Sequence, residues 1–164
     1  MRNRWWVGPS LAAAAVLLAA CGSSGSPTNG ASANAGSGSD AIKAMTTSKG
    51  TVLVNAAGFT LYWFASDTAT QSNCSGSCAA QWPPLIGTAV AAKGTSLPHS
   101  FGSIKRANGQ TQVTYDGHPL YTFKGDRAAG QVVGNGINLS GGLWWAVTPS
   151  GTQIPASLPP PSGG

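Results

Sequence analysis

Two neighbouring cysteines, two histidines and four carboxylates are the side chains whose spacing could organise chemistry in this chain. Cys74 and Cys78 stand four residues apart, and the third cysteine, Cys21, belongs to a separate N-terminal context. In an oxidising compartment such a pair is expected to close a disulfide, which for so small a loop contributes roughly 2 kcal/mol on the chain-entropy account. The alternative is metal or redox handling through the pair, in its metal form a Cu(I) site completed by His99 or His118, because thiolate and imidazole are soft ligands that suit that ion. His118 precedes Pro119 in an expected tight turn and His99 follows Pro98 in a long connection, positions that suit surface residues. No serine, histidine and acid set has a supporting motif, and a glycosidase pair could come only from Asp67, Asp116 and Asp126. Each of these has a turn to account for it, so catalysis is the class with least support.

A second pattern is stronger. Leu61-Tyr62-Trp63-Phe64-Ala65-Ser66-Asp67 returns 59 residues later as Leu120-Tyr121-Thr122-Phe123-Lys124-Gly125-Asp126. Gly58 pairs with Gly117, Gly50 with Gly109 and Val54 with Val113 at the same offset. The register is that of an internal duplication, and two copies of one unit are expected to form one fold.

The elements that position these residues are short strands. Residues 51–54, a turn at 55–58 and residues 59–64 read as a hairpin, matched in the second copy by 110–115, Asp116-Gly117 and 118–123. Asp-Gly suits a two-residue hairpin because both central positions need positive φ. Residues 41–45 and 101–104 add a strand before each hairpin, so each copy reads as a three-stranded meander. Residues 82–85, where Pro83 and Pro84 cannot donate to a sheet, and residues 143–147 close the two copies. No stretch has a sustained helical period. Alternation places Tyr62 and Phe64 on one face and Leu61 and Trp63 on the other, both covered, as in an all-β fold whose two meanders pack as a small sandwich or barrel.

The ends of the chain carry different information. Arg2 and Arg4, an apolar run at 11–20 and then Cys21 read as an export signal over residues 1–20, too short to span a bilayer as a permanent helix. Leu18-Ala19-Ala20-Cys21 has the form of a bacterial lipobox, in which the Cys21 thiol receives diacylglycerol before cleavage. Two acyl chains anchor stably where one does not. Residues 21–40 are then a lipidated cysteine and a flexible tether of small polar residues, residues 41–154 the β domain with copies at about 41–86 and 100–150, and residues 155–164 a disordered tail. The expected location is the extracytoplasmic face of the cell membrane. Net charge is +5 over 164 residues, only 8% of residues are charged, and Lys105-Arg106 is the largest basic cluster of the β domain, so nucleic acid is not an expected partner.

These residues resemble a family of bacterial secreted or lipid-anchored proteins of unknown function whose repeat carries Tyr-x-(Phe/Trp/Tyr)-x-x-Asp. Tyr62, Phe64 and Asp67 match it in the first copy and Tyr121, Phe123 and Asp126 in the second. The surroundings of Cys74, Cys78 and Trp82, and the run from Gln112 to Tyr121, are also similar. The resemblance implies a non-catalytic lipoprotein and names no ligand. On the residues alone, each motif Asp is expected to accept backbone N–H groups and hold a turn, the competing expectation being a shared binding cleft. The expected function is a non-enzymatic binding or structural module of the envelope, without a cofactor, whose partner is an envelope protein or wall component. Trp63, Trp82, Trp144 and Trp145 are its contact residues wherever they are exposed, with core packing the competing expectation, above all for Trp82 and Trp144.

Overall fold

The computed structural model describes residues 39–154, and within them alternating apolar residues build the strands. The signal segment, Cys21, the tether up to residue 38 and the tail at 155–164 lie outside the described residues. The first copy supplies β1 (Ser39–Thr47), β2 (Gly50–Val54), β3 (Tyr62–Phe64), a single helical turn α1 (Ser77–Gln81) and β4 (Thr88–Ala91). The second supplies β5 (Phe101–Lys105), β6 (Thr111–Tyr115), β7 (His118–Pro119), β8 (Ile137–Leu139) and β9 (Gly142–Ala146).

Local chemistry sets the turns as expected. Asp116 and Gly117 both have positive φ, 49° and 76°, the pair of values that a two-residue hairpin turn requires. In the first copy Asn55 closes the longer turn by accepting the Phe59 N–H on its side chain at 3.0 Å and the Gly58 N–H on its carbonyl at 2.9 Å. Other elements went unanticipated. β4 joins β1 in parallel, a long-range pairing without a local signature, and β8 pairs antiparallel with β9. The turn α1 begins inside the tight Cys74–Cys78 loop, holds Cys78 itself and is too short to leave a helical period.

The described residues form three small sheets, ordered β2-β1-β4, β3-β9-β8 and β5-β6-β7, rather than a closed barrel. The reason is an exchange between the copies. Leu53 N–H donates to Val147, Val147 N–H to Leu61 and Leu61 N–H to Leu53, at 2.7, 2.9 and 2.9 Å. The same ring recurs as Val113 to Leu85, Leu85 to Leu120 and Leu120 to Val113, at 2.9, 2.9 and 3.0 Å. Val147 ends the second copy yet completes the hairpin of the first; Leu85 ends the first copy yet completes the hairpin of the second. The closing segments therefore cross over, and Tyr62 and Tyr121 meet between them in a reciprocal backbone pair of 2.8 and 2.9 Å.

Strand alternation then divides the interior in two. Leu53, Leu61, Leu85, Val113, Leu120 and Val147, the residues of the two rings, form most of one core with Ile42 and Tyr115. Val52, Val54, Tyr62, Phe64, Tyr121, Trp82 and Trp144 point the other way into the second core, which also holds the cystine. At its centre Trp82 and Trp144 stack with centroids 3.9 Å apart and planes within 2°, flanked by Phe123 on Trp82 at 4.0 Å and Phe64 on Trp144 at 4.3 Å. Tyr62 meets Trp82 edge-on at 5.4 Å and Tyr121 meets Trp144 at 5.0 Å, so the whole cluster repeats about the midpoint of the tryptophan stack. Gly134 must lack a side chain here, since a Cβ would lie 2.8 Å from the Trp82 ring.

Both tryptophans are fully buried at the junction of the copies. Trp82→Ala or Trp144→Ala is expected to cost about 3–5 kcal/mol, the range for removing a large aromatic side chain from a core. Chemical denaturation of each variant checks this, and a loss below about 1 kcal/mol in either would contradict the shared-core assignment.

Candidate functional site

The repeat motif puts its polar atoms in two places related by the same exchange. Tyr62 of the first copy donates its hydroxyl to Asp126 Oδ2 of the second at 2.8 Å, and Tyr121 of the second donates to Asp67 Oδ2 of the first at 2.5 Å. The second carboxylate oxygen of each Asp holds a loop: Asn73 N–H donates to Asp67 Oδ1 at 2.6 Å and Val133 N–H to Asp126 Oδ1 at 2.9 Å. The strand brings each tyrosine inward, and the turn in which the Asp N–H bonds the motif Phe carbonyl sets the start of each Asp loop. Each Asp thus accepts a backbone N–H as read from the sequence, and in addition ties down the tyrosine of the other copy.

Burial governs the titration of these groups. Desolvation raises Asp67 and Asp126 above the ordinary carboxylate value, although hydrogen bonds from Tyr121 and the Asn73 backbone oppose it in the first and from the Val133 backbone and Tyr62 in the second. Desolvation also raises both tyrosines, with the adjoining carboxylate adding to it; Tyr121 is pushed up to about 12 and Tyr62 further. Both phenols are therefore held protonated, as hydrogen-bond donors, at neutral pH.

The first-copy pair is tied into a larger network that motif reading missed. Tyr121 Oη is 2.7 Å from Ser72 Oγ, which accepts from Arg106 Nη1 at 2.8 Å. Arg106 also donates to Gln112 Oε1 and to the Cys74 carbonyl, and Gln112 in turn donates to the Leu120 carbonyl at 2.8 Å. Gln112 is fully buried just before the ring residue Val113, as Val52 is just before the ring residue Leu53, one residue off the 59-residue spacing, and a glutamine in a strand that is apolar in the first copy was the signal available. Arg106 thereby fastens the cystine loop of the first copy to the hairpin of the second.

The other candidates fall into separate places. Cys74 and Cys78 are joined in a disulfide and buried in the second core. The Cu(I) alternative is not assembled: no three of Cys74, Cys78, His99 and His118 come together, nor does any other metal-holding group of His, Cys, Asp or Glu among the described residues. His99 pairs with Asp116 at 3.2 Å, and the His118 ring lies 4.5 Å from that of Trp63. Trp82 and Trp144 drop out as contact residues because the aromatic stack buries them completely. Trp63 and Trp145 remain, paired across β3 and β9 and both half-buried on the face away from the stack; Trp63 packs against the first core with its Nε1 buried, while Leu143 is 38% exposed beside Trp145.

A family described as a secreted repeat of unknown function matches residues 43–86 and again residues 102–148, more than half of the chain. The chain belongs to that family. Its two repeats are the two copies whose closing segments cross over, and the description as secreted fits a place outside the cytoplasm. Neither a curated protein nor a solved structure matches the chain.

Two measurements test this geometry. In double-mutant cycles, Tyr62→Phe should couple to Asp126→Asn, and Tyr121→Phe to Asp67→Asn, by about 1–3 kcal/mol, the scale of a buried hydrogen bond to a charged group. The within-copy combinations should couple by no more than a few tenths; the reverse pattern would refute the exchange. Stability should also depend on pH in a defined way. Because the folded state holds the Asp67 and Asp126 protons more tightly than the unfolded chain does, their contribution is fully present below the ordinary value of 3.8 and is lost as pH rises through the raised folded values. That of Tyr121 is fully present below 10.0 and lost as pH rises through about 12. The Tm is therefore expected to rise on acidification from pH 7 toward pH 4, to do so much less in the Asp67→Asn, Asp126→Asn double variant, and to fall above pH 10.

Proposed function

We propose that this protein is a lipid-anchored module on the extracytoplasmic face of the cell membrane, non-enzymatic, that holds another envelope component by contact. The observation that carries this reading is the use of the motif: its tyrosines, phenylalanines and carboxylates all act inside the domain, joining one copy to the other. Groups fixed this way give rigidity, which lowers the ordering cost of binding through whatever the surface presents. The surface best suited to contact is the part of β9 away from the stack, where half-buried Trp145 and exposed Leu143 stand beside Trp63, itself packed partly on the first core. The anchor rests on Leu18-Ala19-Ala20-Cys21, with diacylglyceryl on Cys21, and on the small polar residues that follow it as a tether.

Membrane fractionation with mass spectrometry and cross-linked capture from intact cells tests both parts. The mature protein is expected to begin at diacylglyceryl Cys21 and to sediment with membranes, and Cys21→Ser to be released or to stay uncleaved. Trp145→Ala is expected to keep the anchor and the Tm but to lose the captured envelope component. Membrane association without acyl mass would overturn the anchor, and undiminished capture by Trp145→Ala and Trp63→Ala variants would overturn the contact face.

A further inference from the structure

The duplication supplies an internal control: where both copies keep the frame but differ in side chains, the difference is not required by the frame. The loop after the motif Phe is such a place. In both copies the residue after the Phe donates its N–H across the exchange, Ala65 to the Leu143 carbonyl at 2.9 Å and Lys124 to the Gln81 carbonyl at 3.0 Å. In both, the Asp N–H returns to the Phe carbonyl, at 3.0 Å for Asp67 and 3.1 Å for Asp126. On this common path the first copy carries Ala65, Ser66 and Thr68, and the second carries Lys124, Gly125 and Arg127. The phenylalanines differ as well: Phe64 is 3% exposed, whereas Phe123 is only partly covered.

All of these differences fall on one open depression of about 340 Å³, lined by Gln81, Phe123, Lys124, Gly125 and Arg127. Its floor is rigid, because the Phe123 ring is stacked on Trp82 at 4.0 Å and lies against Gly125. A Cβ at Gly125 would stand 2.1 Å from Phe123 Cε1, so glycine is what allows the ring to occupy that place. Lys124 and Arg127 are both exposed at its edge. The one carboxylate between them, Asp126, is 5% exposed and turned inward to Tyr62 and the Val133 N–H. Among the described residues the only ion pair is His99 with Asp116, so neither cation has an acidic partner.

We propose that this depression binds the phosphate group of a phosphate ester. A guanidinium presents a planar fork to phosphate oxygens and an ammonium adds a point charge, a combination that matches a tetrahedral anion. The Gln81 amide offers a further donor at the rim, and the Phe123 ring offers an apolar surface to the carbon skeleton of the ester. The site is distinct from the Trp63–Trp145 face and does not depend on the anchored-module reading. The ester could be a lipid headgroup or a phosphate carried free or on a polymer, which share this chemistry.

Backbone and side-chain amide shifts of the purified full chain, titrated at constant ionic strength with glycerol phosphate and separately with chloride, test the proposal. Saturable shifts confined to Gln81, Lys124, Gly125 and Arg127 are expected with glycerol phosphate only. The Lys124→Ala, Arg127→Ala double variant should bind at least tenfold more weakly at unchanged Tm, while Lys93→Ala, Lys105→Ala should bind as the wild type does. Cys21→Ser full chain floated with phosphatidylglycerol and with phosphatidylcholine vesicles distinguishes the sources: capture by the first alone, lost with Lys124 and Arg127, assigns the headgroup, and glycerol phosphate binding without capture assigns a non-lipid ester. Shifts spread equally over Lys49, Lys93 and Lys105, or affinity unchanged in the double variant, would overturn the site.

Discussion

The reciprocal backbone pair between Tyr62 and Tyr121 is the constraint on which the rest of the domain depends. It sets the two motif strands antiparallel at one point, so that each tyrosine ring passes toward the loop of the other copy. Two consequences follow from that crossing. Each phenol reaches the opposite carboxylate, and each closing tryptophan reaches the centre, where the two stack face to face. Polar and aromatic parts of the motif therefore perform one task, since a buried phenol needs an acceptor and a buried carboxylate needs donors. Neither copy meets that need alone.

An exchanged duplication of this kind has a functional corollary. The shared interior restricts which residues can differ between copies, and it leaves the loops and outer faces free to diverge. Apart from the buried Gln112 and the cystine, the differences described here lie there. The first copy carries a cystine loop fastened by Arg106, whereas the second carries the β8–β9 hairpin, in which Trp144 Nε1 donates to the Leu139 carbonyl at 2.9 Å. Its counterpart Trp82 Nε1 is buried without a hydrogen-bond partner among the described residues. The Lys124–Arg127 loop is a further asymmetry, placed on solvent where a side chain can change without disturbing the stack.

Much of the candidate site was legible as residues and little of it as contacts. The motif Tyr, Phe and Asp positions stood out because the repeat doubled the signal, and the faces of β3 followed from alternation. Trp82 and Trp144 were harder, since an aromatic beside a proline-rich segment or in a closing strand can serve a core or a surface equally well. Burial in a stack contributed by both copies decided between them. Arg106 was invisible for the opposite reason: a charged residue next to Lys105 reads as solvated, and only the neighbouring Gln112 and the Cys74 carbonyl reveal its structural use.

By itself the sequence determined what is local: the duplication, the β class, the Asp116-Gly117 turn, the in-and-out order of side chains and the proximity of Cys74 to Cys78. Period-2 alternation and the steric demands of positive φ act over a few residues and leave their mark in composition. The tertiary structure alone decided who pairs with whom. A duplicated motif presents each tyrosine with two chemically identical aspartates, and each hairpin with two closing segments of similar apolar character, so no local preference can separate the within-copy from the crossed arrangement. The parallel pairing of β1 with β4 is of the same kind, a contact between segments 49 residues apart in register. Such choices are made by the fit of the whole core, where the crossed arrangement lets two tryptophans, two phenylalanines and two tyrosines pack together and every motif carboxylate find its donors.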